Sequence, residues 1–499
     1  MSARYVLAID QGTTSTRAML FDARANACAT AQVPIAQIYP APGEVEHDPE
    51  KIWRSVVQAG RAALAEVRAD AVAAIGITNQ RETTIVWERA TGKPLANAIV
   101  WQDRRTAALC AELTREGWGA HVTEITGLVI DPYFSATKLA WLLRHVPGLE
   151  ARARAGEVCF GTVDSFLLFK LTGGRLHATD ATNAARTMLY DIRSGRWDER
   201  LLDRLHVPRA VLPEVRDCQS DYGTTEREHF GAALPISGVA GDQQAAAYGQ
   251  ACFKPGMLKA TYGTGCFVLS NTGEEKVASA TRMLSTIFYQ LNGRRTYALE
   301  GAIFMAGATV QWLRDSLGII ASTEESEALA RDADPKSGVY LVPAFQGLGA
   351  PFWDASARAA ILGLTRAASK ADVVGAGLEA VAFQTRDLLT AMRQDMAVSG
   401  IPAPATLRVD GGMTANGWLM QRLADILGQR IEVAQNPETT ALGAAYHAGQ
   451  AVGFFGGADE LEKAWALARA FEPIMTETER EARYGGWLDV VARVRSHGA

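Results

Sequence analysis

The chain has 499 residues, 48% of them hydrophobic and 21% charged, with a net charge of -5. That composition excludes long disorder, collagen-like sequence and small disulfide scaffolds, and it supplies no basic footprint for nucleic acid. The length allows two to four domains.

Six cysteines, none in a Cys-x-x-Cys pair or a metal-like spacing with histidine, read as reduced core thiols of a reducing compartment. The opening MSARYVLAIDQGTTS is too short in apolar residues for a secretory signal, and no run approaches the ~18 apolar residues of a membrane span. A soluble cytoplasmic protein is expected.

Strand and helix patterns alternate along the chain. Tyr5 to Ile9 is a short apolar run ending in a turn, a buried-strand signal. Asp48-Pro49-Glu50 opens a helix with a capping acid, proline at the first helical position and an acid at its positive end. Ile52, Val56, Ala59, Ala63 and Val67 share one face behind it. Residues 73–77 are again strand-like. Val374, Leu378, Val381, Thr385, Leu388 and Met392 keep a three-four spacing that predicts a helix over 371–396. Leu407 to Val409 reads as a strand running into Asp410-Gly-Gly412. The alternation argues for α/β layers.

One pattern occurs twice. An apolar strand, a Gly-Thr turn and a second apolar stretch occupy 7–20, and the same plan recurs over 258–269. Gly12 and Gly263 stand half the chain apart, so two halves are expected, 1–250 and 251–499, each opening on a Gly-Thr hairpin.

Four polar motifs can carry chemistry. In Asp10-Gln-Gly-Thr-Thr-Ser-Thr16, glycine permits close backbone approach, and successive N–H groups with hydroxyls can cradle phosphate. Asp10 at the strand end is placed to hold magnesium. No P-loop and no Gly-x-Gly-x-x-Gly fingerprint is present, so this is a strand-turn-strand phosphate hairpin. Thr78 to Thr84 carries Arg81 and Glu82, a donor fork beside an acceptor that suits vicinal hydroxyls. Taken alone, that pair reads more readily as a surface ion pair. Val239 to Ala245 sets Asp242 and Gln243 in a glycine-flanked turn, where an aspartate can accept a hydroxyl proton or simply form an Asx turn. Val409 to Asn416 offers a Gly-Gly turn suited to a base or ribose. Trp101, Tyr133 and Phe267 flank these motifs and can form an apolar wall.

With those motifs in order, the sequence resembles the glycerol kinases of the FGGY carbohydrate kinase family. DQGTTSTRA, AAIGITNQRETTIVWE, AIVWQDRRT, TNAARTMLYDI, ISGVAGDQQAAAYGQ, TYGTGCF, VPAFQGLGAPFWD, LRVDGGMTAN and TALGAAYHAG carry the resemblance from Tyr5 to about Trp487. It implies an α/β fold of two actin-like ATPase (ribonuclease H-like) domains around a central nucleotide and substrate cleft. It implies ATP-dependent phosphorylation of glycerol to sn-glycerol 3-phosphate, with ATP and Mg2+ as cofactors and a homo-oligomer, dimer or tetramer. Arg81, Glu82, Tyr133, Asp242 and Gln243 match the family's glycerol contacts, Trp101 and Phe267 its aromatic wall, and Asp242 its catalytic base. Thr13, Thr264, Gly307, Gln311, Gly412 and Asn416 match nucleotide contacts. Thr14, Ser15 and Arg17 lie beside the phosphates, and Asp10 matches the carboxylate near magnesium. The alternative is a kinase of another small polyol or ketose in the same family. A non-catalytic glycerol sensor and an actin-like filament or chaperone protein fit less well, because Asp10 and Asp242 are intact and no segment is left over.

Three departures from the family pattern stand out. Thr225 to Leu234 lacks the glycine pair and arginine with which enterobacterial members bind fructose 1,6-bisphosphate, which argues against that feedback site. His229-Phe230 resembles the histidine motif phosphorylated in Gram-positive members, one residue closer to Pro235; an exposed loop histidine is the plainer reading. Gly417 stands where many relatives have a second asparagine.

Overall fold

The computed structural model describes residues 4–354 and 356–496. They divide into two compact units. The first runs to Ala251 and includes Ser285–Tyr297 and Thr439–Glu462; the second comprises Cys252–Leu284, Ala298–Glu438 and the chain from Lys463.

The first unit is built on a five-stranded sheet. Strands β1 (Tyr5–Gln11), β2 (Ser15–Phe21) and β3 (Ala27–Pro34) form an antiparallel meander. Val72–Asn79 lies parallel to β1, and Ile236–Gly241 lies parallel to Val72–Asn79. Val6, Leu7, Ala8 and Ile9 are all fully buried, as expected of a strand covered on both faces.

Helix α1 (Pro49–Ala63) covers one face, over Leu7, Ile9, Ile75, Ile77 and Val239. It begins where expected, with Asp48 Oδ1 accepting from Glu50 N at 2.9 Å. It ends before Val67 because the last bonds tighten to i→i+3, Ala65 N to Ala62 O and Val67 N to Leu64 O. The alternate strand residues Gly76 and Gly238 point to the other face, against helix Thr439–Ala451. A Cβ at Gly76 would come within 2.1 Å of Ala444 O, and one at Gly238 within 2.3 Å of Ala448 N. The missing side chains let this helix press directly on the sheet.

The second unit repeats the plan. Leu258–Tyr262 and Cys266–Gly273 form an antiparallel hairpin, Thr406–Asp410 runs parallel to the first of them, and Arg430–Ala434 runs parallel to Thr406–Asp410. Arg294–Ile303, which enters this unit at Ala298, is next to Cys266–Gly273, and Leu467–Phe471 is added antiparallel to Arg430–Ala434. Five consecutive strands, from Arg294–Ile303 to Arg430–Ala434, follow the order of the first unit's five, and the seven-stranded sheet adds Leu284–Leu291 at one edge and Leu467–Phe471 at the other, which agrees with the repeat read from the two Gly-Thr motifs. The predicted 371–396 helix runs Lys370–Val398, started by a Ser369/Asp372 capping box, and its six expected inward residues are all buried.

Five cysteines are buried free thiols; Cys28 departs from the expected core thiols in being exposed. No helix among the described residues is long and apolar enough to cross a membrane.

Candidate functional site

Three parallel strands of the first unit end at one edge of its sheet. Register sets Asp10 beside Thr78, Gln11 beside Asn79, and Gly241 beside Asn79. Ligand sites of open α/β sheets form at such carboxyl ends. The motifs at 10–16, 78–84 and 239–245 therefore converge, although the chain separates them widely.

Arg81 Nε lies 3.1 Å from Asp242 Oδ1, and Arg81 Nη1 donates to Gln244 Oε1 at 3.2 Å. The Arg81 stem crosses Gly241, where a Cβ would come within 2.7 Å of Arg81 Cδ. Glu82 has a left-handed backbone, φ 60°, and its carbonyl accepts from Ser135 Oγ at 2.9 Å and Thr84 Oγ1 at 3.1 Å. Its carboxylate accepts from Arg186 Nε at 2.7 Å and stands 4.0 Å from Arg81 Nε. The Arg81 and Glu82 side chains are each 2% exposed and Arg186 is 0% exposed, against 29% for Asp242. The Arg81–Glu82 pair is therefore not the surface ion pair that the local sequence alone suggests. Buried charges persist only when compensated, and here two guanidiniums serve two carboxylates.

Asp242 is the first residue of helix Asp242–Gly249, where the helix dipole favours negative charge. The backbone N–H of Gln243 donates to Asp242 Oδ1 at 2.6 Å, and the Gln243 side chain is buried beside it. The Trp101 indole Nε1 donates to Thr13 Oγ1 at 2.9 Å, and its ring meets Tyr133 edge-on at 5.7 Å. The Tyr133 loop is held from below by Lys138, whose Nζ donates to the carbonyls of Pro132, Tyr133 and Phe134. Burial pushes the Lys138 ammonium down to about 8, opposed by the charges of Asp103 and Glu82.

In the first hairpin, Gly12 N donates to Ser15 O at 2.9 Å, closing the turn. Gln80 Nε2 donates to Gly12 O at 3.2 Å and Gln11 Oε1 at 3.1 Å, and stands 3.4 Å from His47 Nδ1. Burial pushes the His47 imidazole down to about 4, so it is neutral near pH 7. Thr14 is exposed, Ser15 Oγ accepts from Gln32 Nε2 at 2.8 Å, and Arg17 is the cross-strand neighbour of Asp10. Thr16 turns away, its hydroxyl 2.7 Å from Ser55 Oγ on α1, so it anchors the hairpin. No cluster of three or more possible metal ligands occurs among the described residues. A carboxylate at a strand end, such as that of Asp10, suits a magnesium ion shared with phosphates and water better than a closed protein cage.

The second unit holds a pocket of about 390 Å³ that gathers Thr264, Gly307, Gln311, Gly412 and Asn416. Gly263 adds backbone, and Val310, Leu378 and Met413 add apolar wall. The hairpin turn reaches the start of helix Gly307–Asp315: Gly307 N donates to Gly263 O at 2.9 Å and Ala308 N to Thr264 O at 3.0 Å. Asn416 caps helix Gly417–Leu427, its Oδ1 accepting from Leu419 N at 2.9 Å. Phe267 lies on this unit's hairpin opposite Thr261.

Several residues outside the four motifs support the first cluster. Arg186 holds Glu82. Thr182 Oγ1 accepts from Gly241 N at 2.8 Å, and Asn183 exchanges two 3.1 Å amide bonds with Asn79. The available signal was a single arginine in the otherwise small and apolar run Ala184 to Tyr190, which marks a buried cation in need of an acid. His229 also departs from the exposed loop expected. It lies half-buried on helix Arg227–Phe230, edge-on to Trp53 at 4.9 Å, and burial pushes its imidazole pKa down.

The FGGY carbohydrate kinase models match the chain twice, the N-terminal domain over residues 5–249 and the C-terminal domain over 258–452. A protein named glycerol kinase from Ectopseudomonas mendocina is 55% identical, covering 99% of this chain and 100% of its own. One of the same name from Cereibacter sphaeroides is 57% identical, over 98% of this chain and 99% of its own. Among solved structures, Plasmodium falciparum glycerol kinase with ADP superposes with a TM-score of 0.92 at 37% identity, covering 100% of this chain and 99% of that one.

Proposed function

The chain belongs to the FGGY family of carbohydrate kinases, and on that premise we propose that it transfers the γ-phosphoryl group of ATP to glycerol, giving sn-glycerol 3-phosphate and ADP. The observation that carries the reading is the buried Arg81–Glu82–Arg186 cluster, with Asp242 as its partly exposed carboxylate.

A triol offers hydroxyls that both donate and accept. Arg81 supplies donors to one hydroxyl and Glu82 accepts from another, so neighbouring hydroxyls are fixed in direction as well as place. The edge-on Trp101 and Tyr133 rings give the carbon chain an apolar face. Gln243 completes the polar rim. Asp242, oriented through Oδ1 by Arg81 and its own helix, takes the proton of the hydroxyl that attacks phosphorus. The oxygen–phosphorus bond to the acceptor forms as the bond to ADP breaks.

The second unit's pocket receives the adenosine, with Gly307, Gly412 and Asn416 against it and Gln311 and Thr264 towards its polar end. Thr13, Thr14, Ser15 and Arg17 serve the phosphates from the first hairpin. Asp10 would hold magnesium, which when bound would offset the charge of the phosphates. Positioning and charge compensation supply most of the acceleration in such a transfer. The ATP it consumes and its five buried free thiols support a cytoplasmic location.

The test is ADP release with glycerol, dihydroxyacetone, erythritol and xylulose at equal concentration. Glycerol should give the highest kcat/KM. A higher value for xylulose or erythritol would replace the glycerol reading with the other polyol or ketose reading.

A further inference from the structure

We propose that Arg186 is a positioning residue of the polyol site, which sets affinity for the acceptor through Glu82 and Tyr133 without touching the acceptor itself. The inference rests on reading those two residues as polyol contacts.

Arg186 is fully buried, and one guanidinium meets both of them. Its Nε donates to Glu82 Oε1 at 2.7 Å. Its central carbon stands 5.7 Å from the Tyr133 ring centre and 5.3 Å from that of Phe134. Glu82 needs an external hold, because its left-handed backbone is uncommon for a residue with a side chain. Arg186 fixes one carboxylate oxygen and so aims the group.

The base beneath Arg186 is itself braced. Asp180 caps helix Ala181–Ala184, accepting from Thr182 N at 2.7 Å and Asn183 N at 3.1 Å. Thr182 and Asn183 tie that segment to Gly241 and Asn79, just ahead of Asp242 and Arg81. One short stretch therefore registers three parts of the polyol site. Only a planar guanidinium can bind a carboxylate at its edge while facing two aromatic rings; a lysine ammonium offers a point charge instead.

The experiment uses Arg186→Lys, Arg186→Gln, Glu82→Gln and the Glu82→Gln/Arg186→Gln pair in the full chain, with melting temperature as the check on folding. Arg186→Lys keeps the buried charge, so it reports even where Arg186→Gln fails to fold. The KM for glycerol should rise about ten- to hundredfold in Arg186→Lys, the loss of one charged hydrogen bond, while the KM for ATP stays put. On the Glu82→Gln background, Arg186→Gln should add less than about twofold, since coupled residues are not additive. An unchanged glycerol KM in folded Arg186→Lys overturns the proposal, as does an equal rise for ATP or full additivity with Glu82→Gln. Wild-type turnover is measured first. Its absence would overturn the glycerol kinase reading, while calorimetric glycerol binding by the same variants still tests Arg186.

Discussion

The candidate polyol cluster of the first unit and the candidate nucleotide pocket of the second are built in opposite ways. The first consists of side-chain charges, Arg81, Glu82, Arg186 and Asp242, that hold one another in place. The second sets backbone at Gly263, Gly307 and Gly412 and apolar walls at Val310, Leu378 and Met413 among mostly uncharged polar groups, with Glu324 and Glu327 but no guanidinium or ammonium among the described lining residues. A triol has little apolar area, so its affinity must come from directional bonds, which need charges set in advance in a low-dielectric place. An adenosine has a broad flat face, and a shaped apolar slot is enough to hold it. The first site should therefore couple ligand recognition to stability at each of its charges, and the second should let the two separate wherever its wall has room for a side chain.

The largest effect should come from Asp242→Asn. We expect kcat to fall by about 10² to 10⁴ with the glycerol KM within severalfold, measured by steady-state ADP release. Near-full turnover would remove Asp242 as the base. Arg81→Ala comes next. Its loss leaves Asp242 without its guanidinium and Glu82 with Arg186 alone, so the glycerol KM should rise on the order of 100-fold and the Tm should drop together with it. A Tm equal to wild type would break the coupling argued for this unit.

The second unit offers a finer contrast. A Cβ at Gly307 would stand 2.6 Å from Gly263 O, whereas one at Gly412 meets nothing within 4 Å. Gly307→Ala should raise the ATP KM about tenfold and lower the Tm, because overpacking forces backbone to shift. Gly412→Ala should raise the ATP KM with no change in Tm. If neither variant moves the ATP KM, the pocket is not the adenosine site.

The smallest effect is in the pH dependence of stability. Burial pushes the imidazoles of His47 and His177 down to about 4 and that of His447 to about 3, all in the first unit. Their contribution is complete above pH 6.5 and is lost as pH falls towards those values, because the unfolded chain then binds the extra protons. Asp387 of the second unit works in reverse. Burial pushes it up to about 7 against the bonds it accepts from Tyr484 and Trp487. Its contribution is complete below 3.8 and is lost as pH rises through 7. In thermal melts from pH 4.5 to 8, His447→Gln should flatten the acid side and Asp387→Asn the neutral side. Unchanged slopes would refute the assignment of those groups.

What could be read from the sequence divides along the same line. Helix starts and strand centres were legible because local spacing decides them: Asp48-Pro49-Glu50 starts α1, and the six-residue stripe from Val374 to Met392 lies inside Lys370–Val398. Ends were less legible. The strand read at 73–77 runs Val72–Asn79, since Thr78 and Asn79 keep pairing with Asp10 and Gln11 despite being polar. The Gly-Thr repeat pointed to two sheets of one plan. Arg81, Glu82 and Asp242 could be picked out by residue type. Their partners could not, because Arg186 lies far along the chain from Glu82 and only the fold joins them. Thr16 shows the converse: its motif suggested phosphate, and its burial against Ser55 gives it to the core.

The helix that presses on Gly76 and Gly238 also sets a timetable. During synthesis the strands of the first sheet leave the ribosome early, but Thr439–Ala451 follows only after roughly nine-tenths of the chain has been made. Until then the face carrying Ala8, Gly76 and Gly238 has no cover from this helix. The first unit is thus a unit in space but not in time. A fragment ending at Ala251 should bind apolar dyes and aggregate, and a peptide spanning 439–462 should suppress both. A fragment that stays monomeric and dye-silent by itself would show that the sheet closes without its last helix.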